Sequence, residues 1–291
     1  MRLSILIPTY NCNCVRLVTD LQQQLPEDCE ILVADDASTD ETIRFGNRSL
    51  KDLTHVTYWE EEENHGRSGI RNLLARKAQG DYLLFIDSDA EVKNPDYIQQ
   101  YLRELPTEAV VCGGALHSDT LPSPSVALRW AYEKNCEPRL TADKRREHPH
   151  QHITTFNILM PRCVALAHPF NERITRYGYE DTLLGRELER DGIAVLHIDN
   201  PLIHLGLDTN ELFLHKTEEA MRTLYEIRGE MEGYSRLLTI YKQLEQWHLT
   251  GVVRVIYQAI RPMLQRNLLG KHPSIWLFNF YKLGYYITLS K

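Results

Sequence analysis

A chain of 291 residues, 43% hydrophobic and 25% charged, is long enough to bury a large core, and its balance excludes a disordered, collagen-like or low-complexity protein. Thirty-three Lys and Arg stand against forty Asp and Glu, a net charge of −7, so no overall basic field recruits nucleic acid. Six cysteines (Cys12, Cys14, Cys29, Cys112, Cys136, Cys163) are too few for a disulfide scaffold and form no paired C-x-x-C knuckle, so they read as reduced thiols.

Met1-Arg2 runs straight into apolar residues 3–7, with no signal-like cleavage site behind them. No stretch reaches the roughly eighteen unbroken apolar residues of a membrane span. The nearest, 274–289, is interrupted by Asn279 and Lys282. The expected location is cytoplasmic, or peripheral at the inner face of the plasma membrane.

In chain order, strands are expected over 3–7, 29–34, 55–59, 82–86 and 109–112, with helices over 15–25, 39–50, 68–78 and 96–105 between them. Ile70, Leu73, Leu74 and Ala78 show the three-and-four spacing of a helix face. Strand and helix alternating at this pitch predict an α/β domain with a mostly parallel central sheet. Ligands of such sheets sit beyond the carboxyl ends of the strands. The first strand is followed by Pro8-Thr9-Tyr10-Asn11, the second by Asp35-Asp36-Ala37-Ser38-Thr39-Asp40, and the fourth by Asp87-Ser88-Asp89. No G-x-G-x-x-G follows the first strand and no P-loop occurs anywhere, which disfavours a Rossmann dinucleotide site and a P-loop nucleotidase.

Four prolines and the basic run Lys144-Arg145-Arg146 mark 121–151 as loops around a short helix over 125–134. Strands are expected over 153–160 and 193–198, and a helix over 181–190. Beyond Gly206 the pattern is helical, over 210–247, 252–267 and 274–289. From Gly251 to Lys291 there are six Lys or Arg and no Asp or Glu, so this end differs in charge from the rest.

Asp87 and Asp89, at i and i+2 beyond a strand, can supply hard oxygen ligands to Mg2+ or Mn2+. A solvated turn explains them as well. Asp40 or Ser38 can cap the next helix, a role that suits Asp36 less. Asp36 can accept the imino proton of a uracil-like base framed by Thr9 and Tyr10. Glu180-Asp181 opens a helix, where its dipole favours acids, or supplies a general base. His204, closing an apolar run, is a candidate nitrogen ligand for the same metal. His148, His150 and His152 read as a polar loop beside prolines.

Taken together, residues 4–11, 33–42, 64–72 (Asn64-His65-Gly66-Arg67-Ser68-Gly69-Ile70-Arg71-Asn72) and 80–89, then Phe170-Asn171-Glu172 and Gly178-Tyr179-Glu180-Asp181, resemble family 2 glycosyltransferases of the GT-A fold. The likeness covers about 1–206. It implies a GT-A catalytic domain, with a nucleotide-binding half over about 1–112 and an acceptor half over about 113–206, followed by a helical region over 207–291. It also implies a nucleotide-diphospho-sugar donor, with uridine the expected base, and inversion at the anomeric carbon. By position Pro8, Thr9, Tyr10, Asp36, Gly66, Arg71, Asp87 and Ser88 would contact the donor. Asp89, Asp87 and His204 would hold Mn2+ or Mg2+, Asp181 would be the catalytic base, and Glu180 would be its catalytic neighbour. The acceptor would be a saccharide or a lipid-linked molecule, which fits synthesis of cell-surface polysaccharide or glycoconjugate.

One carboxylate base and one metal site suit direct displacement. Many relatives carry a further Asp where this chain has Ala90, which gives His204 more weight. No Gln-x-x-Arg-Trp motif follows, so single transfer is expected over polymerisation. A sugar nucleotidyltransferase would want a Gly-rich basic loop after the first strand, where Pro8-Thr9-Tyr10-Asn11 stands instead. A non-catalytic nucleotide-sugar-binding scaffold would not need Asp89 and Asp181. In the last segment, Trp276, Phe278, Phe280, Tyr281, Tyr285 and Tyr286 among Lys271, Lys282 and Lys291 either form an interfacial face for an anionic membrane or pack internally.

Overall fold

A computed structural model describes residues 2–290; Lys291, one of the C-terminal cations, lies outside the described residues. The first half runs β1 (Leu3–Thr9), α1 (Val15–Gln22), β2 (Glu30–Asp35), α2 (Glu41–Asn47), β3 (Val56–Glu60), α3 (Gly66–Lys77), β4 (Tyr82–Ile86), β5 (Ala90–Glu91), α4 (Tyr97–Arg103), β6 (Val110–Cys112) and β7 (Ala115–His117). Then come α5 (Ala127–Cys136), α6 (Ala142–Glu147), β8 (Asn157–Pro161), α7 (Arg162–Ala167), α8 (Glu180–Arg190), β9 (Val195–His197) and β10 (Leu202–His204). Four helices finish the chain: α9 (Asn210–Glu226), α10 (Arg236–Gln246), α11 (Thr250–Leu268) and α12 (Ile275–Leu289).

The chain divides into two compact units. One holds the chain up to Leu116 with Arg139–Thr175 and Glu180–Gly206; the other holds His117–Pro138, Arg176–Tyr179 and everything from Leu207.

In the first unit a seven-stranded sheet has the order β3-β2-β1-β4-β8-β6-β9, and a small sheet has the order β5-β10-β7. Alternation along each strand divides the core into two layers. Ile5, Ile7, Ile31, Val33, Leu84 and Ile86 pack with α1 and α4 on one face, whereas Leu6, Leu32, Ala34, Leu83 and Phe85 meet α3, α7 and α8 on the other. With both faces covered, β1 and β4 read as continuous apolar runs, as sandwiched strands should. β1 lies parallel to β2 and β4, and β2 parallel to β3. β8 is antiparallel to both of its neighbours.

The strand expected over 153–160 begins only at Asn157. Its partner β4 ends at Ile86, which pairs with Asn157; past that point only the Asp87 amide reaches Phe156 O, at 3.3 Å, so residues 153–155 have no ladder to join despite their β-branched composition. Strands β5, β7 and β10 are two or three residues long, too short for a period to declare them.

In the second unit the helix expected over 210–247 is two helices. Gly229 and Gly233 lie between them, the latter at φ +83°. The α12 aromatics Phe278, Tyr281, Tyr285 and Tyr286 are buried with Phe213, Leu224 and Tyr257. Gly284 is required there, because a Cβ would stand 2.3 Å from Tyr257 Cδ2. Lys282 Nζ lies 5.0 Å from the Tyr132 ring centre and 4.9 Å from that of Phe278, and burial lowers its pKa. The aromatic side of α12 is therefore interior, not the outward-facing surface that its composition allows. Of these aromatics Trp276 alone is strongly exposed. Among the described residues no helix is long and apolar enough to cross a membrane.

Candidate functional site

The site lies where β1, β2 and β4 end. Thr9 pairs with Asp35 in register, and the Asp36 amide donates to Thr9 O at 2.9 Å. The loops that follow are joined by Asn11. Its amide donates to Ser38 Oγ at 2.7 Å, and its Oδ1 accepts from the Thr39 and Asp40 amides, each at 2.9 Å. Asp40 caps α2 through the Thr42 and Ile43 amides. Pro8 sits within β1 opposite Ala34, and Tyr10 stands half-exposed at the rim.

Asp36 is buried at the start of α3. Its carboxylate accepts from the His65 amide at 2.7 Å and the Gly66 amide at 3.0 Å, a helix N-terminus holding an anion. Burial nevertheless pushes Asp36 above its ordinary pKa. Gly66 turns the chain at φ +70°, in the left-handed region that glycine adopts without cost.

Arg71 is buried one turn further along α3. It donates to Asp87 Oδ1 at 2.5 Å and to Arg67 O at 3.2 Å. Burial alone would lower its pKa, but Asp87, Asp181 and Glu180 together hold it above the ordinary value. Asp87 is thus engaged by Arg71, while Ser88 and Asp89 continue the turn into β5. The Cys12 thiol lies beside Ser88 and is pushed up by burial.

Asp89 Oδ2 lies 3.2 Å from His204 Nε2. The short β5–β10 ladder brings them together by pairing His204 with Ala90, and the Leu205 amide donates to Asp89 O at 2.9 Å. The His204 ring is held edge-on to Phe156, with centroids 5.3 Å apart. At Gly206 a Cβ would stand 1.9 Å from Asp89 Oδ2, so the chain crosses directly against the carboxylate. A carboxylate oxygen and an imidazole nitrogen, partly open to solvent, form a donor set that fits a divalent cation.

Glu180 and Asp181 form the first turn of α8. The Thr155 hydroxyl bonds to Asp181, but Asp181 Oδ1 and Glu180 Oε2 are buried without a hydrogen-bond partner. Asp181 is pushed up to about 6, chiefly by burial and then by Glu180, against the pull of Arg71. Arg67 Nη1 approaches Glu180 Oε1 at 3.6 Å.

The expected residues therefore fall into three groups: Pro8, Thr9, Tyr10, Asp36 and Gly66 at the first loops; Arg71, Asp87, Glu180 and Asp181 in a charge cluster; and Asp89 with His204. Sequence reasoning did not single out Thr155, Phe156, Arg67 or Gly206. Arg67 stood within the 64–72 motif, but nothing in sequence spacing brings Thr155 to Asp181. The histidine tract folds as a 3-10 turn over Pro149–His152, with His150 Nε2 bonded to Ile193 O at 2.8 Å.

The model of the family described as "Glycosyl transferase family 2" matches residues 4–164. Validoxylamine A glucosyltransferase of Streptomyces hygroscopicus subsp. limoneus is 32% identical over 225 residues, 66% of this chain and 49% of that protein. Among solved structures, a mannosyltransferase from Pyrobaculum calidifontis in complex with GDP-Man and Mn2+ superposes with a TM-score of 0.61 at 16% identity, covering 98% of this chain and 86% of the other. Staphylococcus aureus TarS 1-349 in complex with UDP-GlcNAc gives 0.54 at 18% identity, covering 98% and 90%. At such identities the structures establish the fold alone. The chain spans less than half the length of the first curated relatives it matches.

Proposed function

The chain belongs to glycosyl transferase family 2 and has the GT-A fold, and from that premise we propose that it is an inverting, metal-dependent glycosyltransferase. It moves a sugar from a nucleotide-diphospho-sugar, a UDP-sugar by preference, to a hydroxyl of a saccharide or lipid-linked acceptor in cell-surface polysaccharide or glycoconjugate synthesis. The observation that carries this reading is Asp181. It is a carboxylate with a buried, unbonded oxygen and a raised pKa, on the same sheet edge as the Asp89–His204 pair.

An acceptor hydroxyl has a high pKa, so a carboxylate must take its proton as the new C–O bond forms. A base held near 6 is still ionised at neutral pH and is a stronger proton acceptor than an ordinary Asp. Thr155 aims Asp181, and Glu180 beside it accepts from a sugar hydroxyl. Attack from this side displaces the nucleoside diphosphate from the opposite face, which inverts the anomeric carbon without a covalent intermediate. Asp36 and Thr9 receive the base, Tyr10 covers it, and Asp87, oriented by Arg71, faces the ribose. Pro8, Gly66 and Ser88 shape the donor cleft with main-chain groups and a hydroxyl. Asp89 and His204 would hold Mn2+ or Mg2+, whose chemistry when bound is to neutralise charge on the departing diphosphate.

Calorimetric titration of UDP, GDP and their sugars, each with and without Mn2+, tests the reading. Metal-dependent binding of one diphosphate, weakened by Asp89→Asn, is the expected result. A folded sample that binds none of them would overturn it.

A further inference from the structure

Helix α11 is apolar on both of its faces. Tyr257, Leu264 and Leu268 are buried in the core of the second unit. On the opposite face Val252, Val255, Ile256, Ala259 and Met263 recur at helical spacing and are all exposed. Val255 is 66% and Met263 59% accessible, well beyond the rim of a core. A tryptophan stands in sequence at either end: Trp247, just before the helix, is 65% exposed, and Trp276, soon after it, is 74% exposed. A solvated helix face of this length ordinarily carries charge.

The charges present share one sign. From residue 251 onward there is no Asp or Glu. Arg254 is held by the Ile287 and Ser290 carbonyls, Arg261 by Glu218 at 3.2 Å, and Lys282 lies over the Tyr132 and Phe278 rings. Arg266, on the apolar face itself, and Lys271, just past the C-terminus of α11, are exposed.

We infer that this face of α11 is a docking surface for an anionic lipid bilayer, with the helix lying in the plane of the interface. The helix of 19 residues is about 28 Å long at 1.5 Å per residue, and the exposed apolar stripe from Val252 to Met263 covers about 17 Å of it. That stripe, terminal tryptophans and basic residues without acids are the components of an interfacial helix. A second copy of the chain fits less well. A two-fold contact on this face would bring Arg266 and Lys271 of both copies together with no carboxylate from the same stretch to pair them. The inference is independent of the reading of the strand-end site.

The test is flotation of the full chain with vesicles of phosphatidylcholine, alone or with one third phosphatidylglycerol. The chain is expected to float with the anionic vesicles and far less with the neutral ones, and high salt should weaken the interaction. Val255→Asp combined with Met263→Asp should reduce binding about tenfold or more. The pair Arg266→Glu and Lys271→Glu, at exposed positions that leave the core intact, should remove the preference for anionic lipid. The thermal melt of each variant, compared with that of the unmodified chain, reports that it is folded. No flotation of the unmodified chain, or equal flotation of the Asp variants, overturns the inference. Concentration-dependent self-association that the Asp variants abolish would also overturn it, by assigning the face to a second copy.

Discussion

Arg71 reaches from the interior of α3 to donate to Asp87 Oδ1, 2.5 Å away at the end of β4. The partners are unequal: the Arg71 side chain is buried, while that of Asp87 keeps a partial opening to solvent. The strand-end carboxylate is therefore the nearest of the three, with Asp181 and Glu180, that compensate a buried guanidinium.

Removing that compensation should be costly. Asp87→Ala leaves Arg71 buried without its nearest counter-ion, and we expect a loss of about 3 kcal/mol, near the low end for a broken buried pair. Asp87→Asn keeps an acceptor and should lose less. Urea unfolding of the two variants beside the unmodified chain provides the comparison; midpoints equal to that of the unmodified chain would show that the ion pair adds nothing.

Asp181→Asn is expected to lower transfer by about a hundredfold or more, as loss of a general base does, with donor binding retained. The same substitution should affect stability with a definite sign. Asp181 has its folded pKa raised from 3.8 to about 6, so the folded state holds the proton more tightly. Its contribution to stability is present below about pH 4 and declines as pH rises towards 6. The Asn variant escapes that decline. Melts across pH 4 to 7.5 should show it gaining on the unmodified chain as pH rises, and a parallel pair of curves would refute the assignment of the shift.

Gly206→Ala tests the proposed metal site while leaving Asp89 and His204 in place. The new methyl would stand 1.9 Å from Asp89 Oδ2, so the carboxylate must turn away from His204. Mn2+-dependent UDP binding should fall at least about tenfold, a loss near 1.4 kcal/mol, while metal-independent binding changes little. If the variant binds as well in Mn2+ as the unmodified chain, Asp89 is not the ligand.

Asn157 in β8 is a buried hub. Its Oδ1 accepts from the Tyr97 and Tyr101 hydroxyls, both at 2.6 Å, and its Nδ2 donates to the Gly114 and Asn200 carbonyls, both at 2.9 Å. Asn157→Ala removes four buried hydrogen bonds, and although the Gly114 carbonyl keeps the Leu202 amide at 3.4 Å, we expect a loss of at least about 3 kcal/mol. Chemical denaturation would detect it readily.

The sheet was legible because β1, β2, β3 and β4 are apolar runs bounded by polar turns. The acidic ends of β2 and β4 were legible because they follow those runs. Arg145 shows what was not. It sits in a basic tripeptide that reads as loop, yet it is buried, donating to the Leu140, Cys112, Gly113 and Ile198 carbonyls. Only the fold gathers four carbonyls around one guanidinium, so no local pattern announces it. Thr155 escaped notice for the same reason: its value lies in meeting Asp181, a residue on another element. The α12 aromatics illustrate a third limit, since composition gives an apolar face but not what covers it.

Asn11 and Ala37 both adopt left-handed backbone conformations, at φ 49° and 57°, within the two loops that Asn11 binds together. For Ala37 that conformation costs on the order of 1 kcal/mol, which the surrounding hydrogen bonds of the two loops sustain. A molecule entering between these loops meets a surface already set, so its binding forfeits little chain entropy. Its heat-capacity change should therefore reflect the area it covers and carry no component from local folding.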